Sequence, residues 1–141
     1  MTGDLKVIDA SLALKWAVNE EHSEEALSLL DELDVFICPE VFYLEIDAVL
    51  TKRVRIRELE AQEAKEIKNN FRALPCKLIS HSQIDEIAFD LSTSFNISYF
   101  DALYLSTALK FNTVVQTADV RFFNALQNTE YKNHIEKLQG V

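Results

Sequence analysis

The chain reads as an α/β protein, a three-layer sandwich whose central, mostly parallel sheet of four to five strands is flanked by helices. Three observations predict this. Short β-branched runs alternate with longer amphipathic stretches, the pattern that successive parallel β-α units produce. Apolar residues make up 48% of the 141 positions, enough for a full core. Only two glycines and two prolines occur, so the connections are short and no disordered linker is expected. With no repeat, composition break or low-complexity tract, residues 1–141 read as one domain.

The elements follow in order. "LKVIDA" is a strand ending at Asp9, and "SLALKWAV" continues with helix-forming residues. Residues 24–33 place Ala26, Leu27, Leu30 and Leu33 on one helical face. "DVFICP" is a second strand stopped by Pro39, followed by an apolar helix from about Val41 to Lys52. Residues 60–74 carry Ala64, Ile67, Phe71 and Leu74 at helical spacing, and "CKLI" after Pro75 is a third strand. Ile84, Ile87, Ala88, Leu91 and Phe95 mark another amphipathic helix, with Asn96 as its expected C-terminal cap. "SYFDALYLSTAL" is apolar almost all round, as a core helix would be. "NTVVQT" is the fourth strand, "DVRFFNAL" a helix starting near Asp119, and "IEKLQ" a weak edge strand.

Charge and cysteine usage narrow the function. Fourteen basic against 23 acidic residues give a net charge of −9, which argues against tight nucleic-acid binding through the overall field. A local contact through a metal site stays open. The cations of "TKRVRIR", including Lys52, Arg53 and Arg55, are expected to favour the C-terminal end of a helix dipole. Together with Lys15 they are also the candidates for guiding RNA phosphates. Cys38 and Cys76 form no paired motif and read as reduced core thiols. The start lacks a basic n-region and is broken by Asp4, Asp9 and Lys15, so neither signal peptide nor membrane span is expected and the cytoplasm is the default location.

In open parallel sheets the ligand site lies beyond the C-terminal ends of the strands. Asp9 and Asp119 fall at or just after such ends. Each alone reads more readily as a helix N-cap than as a metal ligand, and Thr117 is an alternative cap before the last helix. Glu45 has Val41, Phe42, Ala48 and Val49 three and four positions away, an unusual setting for a glutamate. Asp47 competes with it, although its neighbours include the hydroxyl-bearing Tyr43 and Thr51, a contrast that favours Glu45. Asp101 sits three residues after Ser98, a relative of the capping box, yet opens an almost wholly apolar helix.

Carboxylates crowded together repel, and burial raises their pKa values; a divalent cation relieves both. The donors are oxygens only, since His22, His81 and His134 are scattered and no Cys/His pair has zinc spacing. Mg²⁺ or Mn²⁺ suits such a set, and the chemistry implied is metal-assisted phosphodiester hydrolysis.

"VIDASLALKW", "PEVFYLEIDAVL", "SYFDALYLSTAL" and "TVVQTAD" resemble, in order and spacing, the blocks of PIN-domain ribonucleases, most closely the VapC-type toxins of prokaryotic toxin–antitoxin pairs. The likeness runs from about residue 6 to residue 126 and implies a PIN-like sandwich. It maps the family's metal-binding acids onto Asp9, Glu45, Asp101 and Asp119, and its supporting hydroxyls onto Ser11 and Thr117. It further implies a homodimer, an RNA substrate and a small antitoxin that covers the acidic site. The segment Glu45-Ile46-Asp47-Ala48 departs from the pattern: many relatives carry asparagine where Ala48 stands, and Asp47 is an added acid near the site.

The leading expectation is a metal-dependent endoribonuclease, and the alternative a catalytically weak PIN-like module that binds RNA or a partner. A haloacid-dehalogenase-like phosphatase ranks lower, because Ser11 stands where that chemistry wants a second aspartate. Nucleotide-cofactor enzymes rank lowest: the only glycines are Gly3 and Gly140, and no Gly-rich phosphate loop exists.

Overall fold

The computed structural model describes residues 5–141, so Gly3 and Asp4 lie outside the described residues. Five strands form one sheet: β1 (Lys6–Ile8), β2 (Phe36–Pro39), β3 (Cys76–Ile79), β4 (Val115–Thr117) and β5 (Ile135–Lys137). Their order is β3-β2-β1-β4-β5, and all four pairings are parallel. Among the described residues seven helices surround it: α1 (Ala10–Ala17), α2 (Ser23–Asp31), α3 (Val41–Arg55), α4 (Ala61–Arg72), α5 (Asp85–Ser94), α6 (Tyr99–Lys110) and α7 (Val120–Ala125). The expected edge strand near the C-terminus is β5, paired in register with β4 from Val115↔Ile135 to Thr117↔Lys137.

Parallel neighbours need crossovers, and right-handed crossovers dictate the layers. The chain steps from β1 to β2 to β3 in one direction, which puts α1 to α4 on one face. It then returns past β1 to β4 and β5, which puts α5, α6 and α7 on the other. Strands covered on both faces are apolar without alternation. Val7, Ile8, Phe36, Ile37, Cys38 and Val115 are all fully buried. On the first face Trp16, Phe36, Phe42 and Phe71 interlock, with ring centroids 5.5 to 6.4 Å apart. On the second, α6 lies over the middle of the sheet with every residue from Ala102 to Ala108 buried. Its two central hydroxyls are satisfied within the helix: Ser106 donates to the Ala102 carbonyl at 2.6 Å and Thr107 to the Leu103 carbonyl at 2.9 Å.

Some boundaries differ from expectation. Helix α3 runs on to Arg55, and α5 ends one residue early, with extended Phe95 as its cap. Asn96 is therefore not the left-handed cap; Asn112, after α6, takes that conformation at φ 52°. Helix α4 starts with a capping box in which Glu60 and Glu63 serve each other's backbone N–H. Both cysteines are free, Cys38 buried and Cys76 half-buried, and Cys38 Sγ donates to the Ile8 carbonyl at 3.0 Å. Among the described residues, no helix is long and apolar enough to cross a membrane.

Candidate active site

Strand order reverses direction between β1 and β4, and the crevice beyond their C-terminal ends is where a sheet of this topology binds ligands. Asp9 leaves β1 there and Asp119 follows β4 there. Asp9 takes extended backbone angles and N-caps α1, its Oδ1 accepting from Leu12 N at 3.1 Å. The same oxygen accepts from Ser11 Oγ at 2.7 Å, and Oδ2 accepts from the Thr117 hydroxyl. Thr117 Oγ1 in turn accepts from Asp119 N at 2.9 Å, and Ser11 Oγ from Ala118 N at 3.2 Å. Two hydroxyls thus tie the end of β1 to the end of β4. Every group bonded to the Asp9 carboxyl is a donor, which favours its charged form. Burial opposes this and prevails, pushing the Asp9 pKa up to about 7, with the nearby Asp101 charge adding to the rise.

Asp119 N-caps α7 through Oδ1, which accepts from Arg121 N at 3.0 Å and Phe122 N at 3.2 Å. Asp101 sits in the first turn of α6. Ser98 Oγ accepts from Asp101 N at 3.0 Å, so Ser98 caps the helix and the Asp101 carboxylate is left to face the crevice acids. Its pKa is raised to about 6, first by burial and then by the charges of Asp119 and Glu45. Glu45, in the second turn of α3, is half-buried at the edge of the stripe formed by Val41, Phe42, Ile46 and Leu50. Burial raises its pKa, and a 2.6 Å hydrogen bond donated by Tyr104 Oη lowers it. Ala48, expected within that stripe, is exposed.

The structure therefore brings together Asp9, Glu45, Asp101 and Asp119, with Ser11 and Thr117 supporting Asp9. It does not bring Asp47 to them. Two residues on from Glu45, Asp47 points to the other side of α3 and pairs with Lys68 at 3.1 Å and Arg72 at 3.9 Å on α4. Lys15 and Arg53 are also engaged elsewhere. Both grip Glu20, at 3.4 and 3.1 Å, and Lys15 donates to the Glu21 carbonyl at 2.7 Å. Lys52 and Arg55 are exposed. They lie seven and ten residues beyond Glu45 on a helix that runs away from the crevice, roughly 10 and 15 Å along its axis. Tyr104 is the participant that hydropathy hid, because it reads as one more apolar residue of a core helix. Its place one turn after Asp101 was the available signal.

Two surfaces flank the acids. On one side Asp101 and Asp119 line an open cleft of about 850 Å³ together with Asn96, Ser98, Arg121 and Asn124. On the other, Val41, Leu44, Tyr99, Phe100 and Leu103 line an apolar groove of about 420 Å³. There Leu44 is 69% and Phe100 54% exposed, although each directly precedes one of the acids.

The model of the PIN domain matches residues 6–126, most of the chain. The chain belongs to the PIN-domain family. No curated protein matches it by sequence. Solved structures similar to this PIN domain include VapC20 of Mycobacterium tuberculosis, described as a sarcin–ricin-loop-cleaving toxin. That likeness has a TM-score of 0.67 and 14% identity, covering 86% of this chain and 95% of that one. A toxin–antitoxin complex from Klebsiella pneumoniae is similar at TM-score 0.66 and 15% identity, covering 86% and 92%. VapBC2 from Rickettsia felis, bound to a DNA fragment from its promoter, is similar at TM-score 0.63 and 15% identity, covering 96% and 99%. At these identities the likeness is one of fold, and the sheet flanked by helices described above is the PIN-like architecture.

The donors at the crevice are carboxylate and hydroxyl oxygens, the chemistry that suits Mg²⁺ or Mn²⁺. Burial, with the charges of neighbouring acids adding to it, holds Asp9 and Asp101 well above their ordinary pKa, a penalty that a divalent cation would relieve. Among the described residues no three acidic, histidine or cysteine side chains converge tightly enough to hold a cation outright.

Proposed function

We propose that this PIN domain is a Mg²⁺- or Mn²⁺-dependent endoribonuclease and the toxin of a type II toxin–antitoxin pair. One observation supports the reading: at the switch-point crevice the pKa of Asp101 is raised first by burial and then by the charges of Asp119 and Glu45, and its own charge adds to the rise of Asp9. Capping accounts for Asp9 and Asp119 one at a time, but it gives no reason to set Asp101 and Glu45 where the charges of neighbouring acids oppose ionisation. Asp9, Glu45, Asp101 and Asp119 would hold the metal. Bound there, it would polarise the phosphoryl oxygen, lower the pKa of a water and stabilise the leaving oxygen. The chain's own contribution is order. Thr117 and Ser11 keep Asp9 fixed by donating to both of its oxygens, and the caps of α1 and α7 fix Asp9 and Asp119 against the helix ends.

The mixed polar cleft beside Asp101 and Asp119 suits an RNA strand, and the apolar groove beside Glu45 suits protein contacts, with an antitoxin or a second copy in a homodimer. A net charge of −9 favours an antitoxin that presents basic residues. The test is expression with and without any small protein encoded beside it, together with cleavage of structured RNA by the purified chain. Growth arrest relieved by that neighbour, and cleavage that stops in excess chelator, are the expected results. Cleavage that persists in chelator would sink the metal mechanism. The openness of the carboxylate cluster favours, as the second reading, a weakly catalytic module that binds RNA or a partner. RNA binding with no Mn²⁺ binding at about millimolar metal would select it.

A further inference from the structure

The phenol of Tyr104 is a buried polar group that the metal reading leaves without a task. Tyr104 is 2% exposed, packed in α6 one turn beyond Asp101, and its hydroxyl crosses to α3 to donate to Glu45 Oε1 at 2.6 Å. It is the side-chain hydrogen-bond partner of Glu45 among the described residues. Ala48, one turn along α3, has no polar group to offer, and Asp47 turns away to Lys68 and Arg72.

We propose that Tyr104 is a positioning residue for metal binding: its hydroxyl pins one oxygen of Glu45 and leaves the other free for a divalent cation or for water bound to one. The inference rests on the metal-dependent reading above. A half-exposed glutamate otherwise samples several rotamers, and ordering it on metal binding costs conformational entropy. A donor held by the packed core removes that freedom beforehand. The bond is charge-assisted, roughly twice as strong as a neutral one, and favours the anion that a cation needs. Because Tyr104 and Asp101 share one helix, Glu45 is referenced to Asp101 and not merely to its own backbone. The hydroxyl touches no reacting atom and acts only through Glu45.

The test measures Mn²⁺ binding to the metal-free full-length chain without RNA, by calorimetry and by the spin-resonance signal of bound Mn²⁺. Tyr104→Phe keeps the ring and its packing, and water can reach the Glu45 oxygen it vacates. Mn²⁺ affinity should fall about 10- to 100-fold, the range for partners that orient metal ligands. The same change in a Glu45→Gln background should add nothing further. A ring-fluorinated tyrosine at position 104, which restores the hydroxyl, should bind Mn²⁺ like the wild type. A purely structural role would lower Tm and leave Mn²⁺ affinity unchanged, overturning the proposal. So would an equal loss in both backgrounds. A wild-type chain that binds no Mn²⁺ at all overturns the metal reading itself, a result distinct from Tyr104→Phe matching a wild type that does bind.

Discussion

Asp119 and Asp9 each serve a helix and the crevice with one carboxylate, and substitution can separate the two roles. Asparagine caps a helix about as well as aspartate, whereas alanine does not cap. Asp119→Asn should therefore keep its unfolding free energy while losing metal-dependent cleavage. Asp119→Ala should lose cleavage and also about 1 kcal/mol of stability in urea unfolding. Asp101 is simpler, because Ser98 and not Asp101 supplies the side-chain cap of α6. Asp101→Asn should fold normally by circular dichroism and cut RNA more slowly by about 10²-fold or more, the scale of losing one preorganised electrostatic group.

Between elements, two ionic braces hold the first helical layer together, and neither belongs to the crevice. Glu20 is gripped by Lys15 of α1 and Arg53 of α3, and Asp47 of α3 by Lys68 and Arg72 of α4. All these groups are partly exposed, so each brace contributes modestly. Asp47→Ala should cost about 1 kcal/mol or less in urea unfolding and leave Mn²⁺ affinity unchanged by calorimetry. A loss of affinity would return Asp47 to the site. The aromatic cluster beneath is worth more. Phe36 is fully buried against Trp16 and Phe42, and Phe36→Ala should cost about 3–5 kcal/mol by the same measurement.

For the whole molecule, the crevice acids link folding to pH and, on the proposed reading, to metal. The folded pKa values of Asp9, about 7, and Asp101, about 6, both lie above the ordinary 3.8. Between the unfolded and folded values the native chain keeps protons that the unfolded chain has released. Stability must then fall as pH rises through that window. The metal-free protein should show a higher Tm in chelator at about pH 5 than at about pH 8. Mn²⁺ should raise Tm strongly at the higher pH and little at the lower, where its ligands are protonated. Asp9→Asn should raise the metal-free Tm at about pH 8, because an uncharged amide escapes the burial penalty. A Tm that does not change between the two pH values would mean these carboxylates are solvated in the native state.

Much of this was legible along the chain, for reasons of period and punctuation. Helical and strand periodicities, Pro39, Pro75 and the apolar "SYFDALYLSTAL" determine an α/β order, and the right-handed crossover rule leaves few topologies for it. Asp9, Glu45, Asp101 and Asp119 could be singled out because acids at strand ends or beside buried stripes are locally out of place. Tertiary structure alone decided which charges have partners. Asp47 and Glu45 stand two residues apart on one helix, yet one meets Lys68 and the other Tyr104, because those partners arrive from elements far along the chain. Lys15 and Arg53 likewise look like free cations until the fold presents Glu20 to both. Local pattern sets burial and backbone, whereas an ion pair or a long-range hydrogen bond depends on where two distant segments come to lie.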